Sequence, residues 1–252
     1  AGILCYFGDS GQTGEAVSLL TAENASSQED VRQADLVVIM ECDLLEEAPM
    51  MALAVRQAWR GGAKIYMINI PPLPPGEGRG EGGVLPFKYD TVATFADVPF
   101  SEARNPVIIC SPSRTSLDAI KTAAPDTAKL AFILDGPNGF GCALLAAEQG
   151  AISFPEALAS GRVKGIIALE ADLPTDLPPE IRLLAAADWQ PGRLPERAEI
   201  FLPVTTWVEM NGTFVNNEGR AQRFKQVMQP GLPIKGLTPE LHPPRVHRHD
   251  AP

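Results

Sequence analysis

Short apolar runs rich in β-branched residues recur along this chain, separated by stretches with helical period, and that alternation leaves few folds open. A run with no polar face needs cover on both sides, which a parallel sheet wrapped by helices supplies. Ala34 to Glu41 reads as one such buried strand. Pro49 then opens a helix with Met51, Ala54, Val55 and Ala58 on one face and Arg56, Gln57 and Arg60 opposite, and Gly61-Gly62 closes it. Ala63 to Ile70 returns as the next strand, which completes a strand–helix–strand unit whose crossover is expected to be right-handed.

Pro71 to Pro86 is a long punctuated loop, since its prolines and glycines can continue neither a helix nor a ladder. Beyond it, Pro106 to Cys110 and Ala128 to Leu134 read as strands, with a short helix between them capped by Ser113 or Thr115. Phe140 to Gly150 and Ser153 to Ser160 read as helices, the second opened by a capping box from Ser153 to Glu156. Val163 to Glu170 is a further strand and Ala198 to Leu202 the last clear one. Near the start, Ile3 to Phe7 looks like a strand, and Ser26-Ser27-Gln28-Glu29 makes a capping box that leads into the first full unit, so the chain is expected to begin inside a domain. The expected division is a partial first α/β unit over 1–103, containing the loop 71–86, a second α/β unit over 104–229, and an irregular tail over 230–252.

Composition narrows the function classes. A formal charge of −10 argues against nucleic acid, whose phosphates require clustered Lys and Arg, and favours a protein or small-molecule partner. The apolar runs fall far short of the roughly 20 residues of a spanning helix. Cys5, Cys42, Cys110 and Cys142 lie far apart with no histidine nearby, so they read as reduced, buried thiols rather than metal ligands. His242, His247 and His249 crowd into the proline-rich tail and read as solvated. No Ser-His-Asp arrangement can be built, and the pairs Glu46-Glu47 and Glu170-Asp172 read as solvated or helix-capping carboxylates. Gly8 to Gly14 follows an apolar run as a phosphate loop would, but it lacks the Lys-Ser/Thr ending and the Gly-x-Gly-x-x-Gly spacing, so a plain turn is expected.

The densest polar segment runs from Glu209 to Arg223 and packs turn formers, amides, an acid and two arginines together. Such a supply of donors and acceptors suits a polar heterocycle or a neighbouring backbone. Alternatively, its amides and Arg220 tie down an irregular loop from within, and composition does not choose between these readings.

Preceded by Glu199-Ile200-Phe201-Leu202-Pro203, this segment resembles the Thr-x-x-Glu-x-x-Gly-Thr-x-x-Asn-x-Glu-Gly-Arg signature of the molybdopterin oxidoreductase family, here running from Thr206 to Arg220. Two stretches agree in order: Gln33 to Ala58, and Asn138-Gly139-Phe140-Gly141 through Gly161-Arg162-Val163. The wording of Ala54 to Ala58 and of Asn216 to Phe224 is most similar to the large iron-sulfur chain of the complex I family, the NADH-quinone oxidoreductases. The resemblance implies three-layer α/β/α domains with parallel sheets, like the pterin-binding domains of formate dehydrogenase and DMSO reductase. It places Asn138, Gly141, Asn216, Glu218, Gly219 and Arg220 along a vestigial pterin groove, and names no catalytic residue and no metal ligand. It further implies iron-sulfur clusters in an N-terminal part absent from this segment, peripheral-arm subunits as partners, and a peripheral position on the cytoplasmic face of the bacterial inner membrane. No molybdopterin is expected: where active relatives carry Gly-x-Asn-Pro and Ile-Asp-Pro-Arg, this chain has Glu41-Cys42-Asp43-Leu44 and Ile68-Asn69-Ile70-Pro71. The runner-up implied by the family is a catalytic segment of a formate-dehydrogenase-like molybdenum or tungsten bis-pterin enzyme.

Overall fold

Alternation within fully buried strands decides the architecture. In β1 (Leu36–Met40) every residue is buried, Val37 and Ile39 on one face and Leu36, Val38 and Met40 on the other, so both faces of the sheet must be covered. The structure, a computed structural model, describes residues 11–68, 85–113, 117–134, 136, 138–171, 173, 176–190 and 198–230. The expected features over Ile3–Phe7, Gly8–Ser10, Asn69–Pro71, the Pro/Gly loop up to residue 84, Thr115, Asp172 and the histidine-bearing tail lie outside these residues.

The chain forms two compact units, one comprising 1–157 with 215–221 and the other 158–214 with 222–252. In the first, β1, β2 (Lys64–Ile68), β3 (Asp90–Val92), β4 (Pro106–Cys110) and β5 (Lys129–Phe132) build a parallel sheet in the order β3-β2-β1-β4-β5. Two helices cover one face: α2 (Gln28–Gln33) through Val31, and α4 (Pro49–Arg60) through Ala52, Ala54, Val55 and Ala58. Ala16 of α1 (Gly11–Leu19) and Leu117 and Ile120 of α5 (Leu117–Ala123) cover the other. The expected three-layer α/β architecture is therefore present. The boundary expected near residue 104 falls inside this sheet, because β4 pairs with β1 in register, Leu36 with Pro106 through Met40 with Cys110, and the strands on either side of it share one core.

Local chemistry explains the helix ends. Ser27 caps α2 and exchanges bonds with Asp30, so the capping box lies one residue beyond the Ser26–Glu29 frame. Pro49 stands in the first turn of α4, and Gly62 at φ +101 reverses the chain into β2. A short helix α3 (Leu44–Glu47), capped by Asp43, precedes it. Gly11 to Gly14 lies in α1, so this part of the expected turn is helical. Helix α6 (Gly139–Gln149) ends at Gly150 with φ +61, and α7 (Phe154–Ala159) begins where Ser153 Oγ accepts from Glu156 N.

The second unit holds a three-stranded parallel sheet, β6 (Gly165–Leu169), β7 (Leu183–Asp188) and β8 (Ile200–Pro203), with β7 central. Sequence pattern does not mark β7, because Ala185 to Ala187 carries little strand preference and only its two flanking strands hold it extended. Nor is β8 the last strand, since β9 (Gly212–Val215) and β10 (Ala221–Phe224) follow as a hairpin.

Both sheets leave their first strand in the same way. Glu41 follows β1 and Glu170 follows β6, each at φ 47, a left-handed conformation that favours glycine. Glu41 N donates to Ile68 O (3.2 Å) and Glu170 N to Ala187 O (2.8 Å), so each turn is closed by the neighbouring strand's end. Removing the carboxylate in both variants isolates the backbone effect: Glu170→Gly should unfold about 1 kcal/mol less readily than Glu170→Ala in urea denaturation. Equal stabilities would show that the turn holds no such strain.

Candidate functional site

The polar segment from Thr206 to Arg220 is a capped turn followed by the β9–β10 hairpin, and its signature residues have structural roles. Thr206 begins the 3-10 turn Trp207–Glu209 and exchanges bonds with Glu209, whose Oε2 accepts from Thr206 N (3.0 Å) and Oγ1 (3.2 Å). Gly212 is glycine because a Cβ there would run into the Phe224 ring, which stacks on Phe214 at 4.7 Å between centroids. Asn216 Oδ1 accepts from Glu218 N (3.1 Å) and Arg220 N (2.9 Å), and its Nδ2 donates to Glu218 Oε2 (2.9 Å). Gly219 supplies the left-handed φ of +73 that closes the turn.

The hairpin tip, 215–221, belongs to the first unit, and there one residue outside the expected set does most to seat it. Asn217 is partly buried: Phe132 N donates to its Oδ1, and its Nδ2 donates to Leu130 O and Ser26 O, each at 3.2 Å. β5 is an edge strand, and its free edge is partly paired already, Leu130 N donating to Asn24 O (2.7 Å) and Ser26 N to Leu130 O (2.9 Å). The Asn217 amide continues that ladder by standing in for the next peptide group. Two adjacent asparagines in a turn do mark this place in the sequence, but nothing there tells which one faces inward.

Asn138 and Gly141 form the second half of the arrangement. Asn138 occupies the N-cap of α6 without capping it through its side chain. Its Oδ1 instead accepts from Val215 N (2.8 Å) and lies over Gly141, where a Cβ would come within 2.5 Å of it. Phe140, at the edge of burial, is the nearest group to Gly219, 3.9 Å from where a Cβ would stand.

The structure thus brings Asn138, Gly141, Asn216, Glu218, Gly219 and Arg220 into one neighbourhood of the first unit. Of the two readings left open for Arg220, the structure shows no side-chain tie to the loop: its guanidinium is exposed and makes no hydrogen bond or ion pair with the described residues, and only its backbone N–H is engaged. Cys110, at the end of β4, is fully buried, and burial together with the Glu41 charge pushes its thiol up to about 12, so it is no nucleophile at neutral pH. Among the described residues no group of three or more His, Cys, Asp or Glu side chains is placed to hold a metal ion, and no helix is long and apolar enough to cross a membrane.

Comparison with known proteins agrees with the hairpin. Residues 187–234 match the molybdopterin oxidoreductase family. The G subunit of NADH-quinone oxidoreductase from Pseudomonas fluorescens is 31% identical over 145 residues, and that from Escherichia coli K12 is 33% identical over 150 residues; each match covers 51% of this chain and 16% of the relative. The corresponding Streptomyces coelicolor protein is 32% identical over 93 residues, covering 33% of this chain and 11% of the relative. Among solved structures, a chain of the formyltransferase/hydrolase complex (FhcABCD) of Methylorubrum extorquens, in complex with methylofuran, is similar with a TM-score of 0.52 at 12% identity, covering 86% of this chain and 78% of that one. At that identity the likeness speaks for the fold alone. Over about half its length, then, the chain is similar to the G subunits of the NADH-quinone oxidoreductases, and its hairpin segment carries the match to the molybdopterin oxidoreductase family.

Proposed function

We propose that the chain serves as the molybdopterin-oxidoreductase-like region of a G subunit in NADH-quinone oxidoreductase, as a non-catalytic scaffold for electron transfer from NADH to quinone. The observation that carries this reading is the internal use of the groove's polar groups: Asn138 holds Val215 and Asn216 holds the turn, while Asn217 beside them holds β5. A pterin nucleotide would need those donors and acceptors, so the residues present do not fit one, and no reaction step is routed through it. Asn138, Gly141, Asn216, Glu218, Gly219 and Arg220 are on this reading the vestige of a pterin groove. Iron-sulfur clusters in another part of the G subunit would carry the electrons. The partners would be other peripheral-arm subunits, at the cytoplasmic face of the bacterial inner membrane.

One observation favours the catalytic alternative, a formate-dehydrogenase-like segment: the exposed Arg220 guanidinium is still available to an anion. Metal analysis of the complete protein purified from its source separates the two. The scaffold reading expects molybdenum and tungsten far below one atom per chain; a stoichiometric amount of either would overturn it.

A further inference from the structure

Two asparagines in this chain are followed by glycine, in the pairs Asn138-Gly139 and Asn211-Gly212. Such a pair can react without an enzyme, because glycine has no side chain to keep its backbone nitrogen away from the preceding side-chain amide. Sequence gives both pairs the same chemistry. Their surroundings separate them.

Asn138 is held from two sides. It stands at the N-cap of α6 with φ −129 and ψ 26, and its carbonyl accepts from Cys142 N (2.9 Å), the first bond of the helix. Its Oδ1 accepts from Val215 N (2.8 Å) and fills the space over Gly141. Bringing the Gly139 nitrogen onto this side chain requires the peptide between them to rotate, which breaks the start of α6 and the bond to Val215 together.

Asn211 has no such hold on its backbone side. It is exposed and lies just before β9, and its Oδ1 accepts from Gln226 N (3.0 Å), just beyond β10. That bond favours reaction: an N–H donor on an amide oxygen stabilises the oxyanion that forms when a nucleophile adds to the amide carbon. Gly212 supplies the nucleophile from the first position of β9, at the open end of the hairpin, where strand ends fray before the rest opens. Packing also keeps a glycine there, since a Cβ on residue 212 would overlap the Phe224 ring that stacks on Phe214.

We propose that Asn211 is a site of spontaneous deamidation in the folded protein, with water as the co-reactant, and that Asn138 is protected. Hydroxide takes the Gly212 N–H proton, the nitrogen adds to Asn211 Cγ, and the side-chain amide nitrogen leaves as ammonia, closing a cyclic imide. Water then opens the ring. Breaking the new Cγ–N bond gives aspartate, whereas breaking the original main-chain bond gives isoaspartate, whose main chain runs on through Cβ and Cγ. Either product adds a negative charge at the entrance to β9 at neutral pH. Isoaspartate also lengthens the main chain there and displaces the acceptor that Gln226 N uses. The proposal goes beyond the scaffold reading and does not depend on it.

The test keeps the full 252-residue chain folded in mildly alkaline buffer and follows both asparagines by peptide mass mapping, with isoaspartyl methyltransferase labelling to tell isoaspartate from aspartate. Conversion at Asn211 should run at least tenfold faster than at Asn138 and should rise in proportion to hydroxide concentration. In urea strong enough to unfold the chain, the two sites should convert within threefold of each other, because only the fold separates them. Asn211→Gln should abolish conversion at that position, since the longer side chain closes a less favourable ring. Hydrogen exchange at the Gln226 amide should quicken in the isoaspartate fraction. Equal rates at the two sites in the folded chain, or conversion of Asn211 only under unfolding conditions, would overturn the proposal.

Discussion

Asn217→Ala is expected to lower the unfolding free energy by about 2 to 3 kcal/mol, more than any other single change to the hairpin tip. The wild-type amide serves Phe132 N, Leu130 O and Ser26 O together. Leu130 O keeps a partner in Ser26 N after the substitution, but Phe132 N and Ser26 O lose the Asn217 amide in a partly buried place. Leaving a buried backbone group unpaired costs about 1 to 3 kcal/mol, reduced here by whatever water enters. Urea denaturation measures the loss, and hydrogen exchange should show it first at the Phe132 amide, because the β5 edge opens before the sheet does. Arg220→Ala, by contrast, should stay within about 0.5 kcal/mol of wild type, since its exposed side chain holds none of the described residues. If the two variants melted alike, the tip would not be seated through Asn217.

These two neighbours show why the motif is legible in the sequence and its function is not. The family pattern fixes Asn216, Glu218, Gly219 and Arg220, and the structure makes the first three parts of one turn. Asn217 occupies a position the pattern leaves open, yet it reaches farthest in sequence, to Ser26 and Leu130. A local signature records what a turn needs, whereas long-range pairing depends on which strand edge lies beside it. Strand β7 escapes detection for a related reason: Ala185 to Ala187 is extended only because β6 and β8 flank it, an arrangement invisible in a window of a few residues. Conversely β1, β2, β4, β5 and α4 are readable because the cue and the cause coincide there. β-branched runs fill a sheet buried on both faces, and the Pro49 and Gly61-Gly62 punctuation sets the helix ends by local sterics.

Gly141→Ala tests whether the groove beside α6 is filled by the protein itself, and its sign should depend on Asn138. In an ordinary helix interior, replacing glycine by alanine gains about 1 kcal/mol. Here the new methyl would lie 2.5 Å from Asn138 Oδ1 and push it off Val215 N. Losing that bond and crowding the site cost about 1 to 3 kcal/mol each, so a net destabilisation of about 2 kcal/mol is expected. In an Asn138→Ala background the obstruction is gone. The same Gly141→Ala change should then stabilise by up to about 1 kcal/mol, giving a coupling energy of about 2 to 3 kcal/mol between two residues three positions apart. Chemical denaturation of the four proteins in this cycle reads it directly. A Gly141→Ala effect of the same sign and size in both backgrounds would mean that Asn138 does not fill the space over the helix. The groove would then have room for a ligand that the scaffold reading denies it.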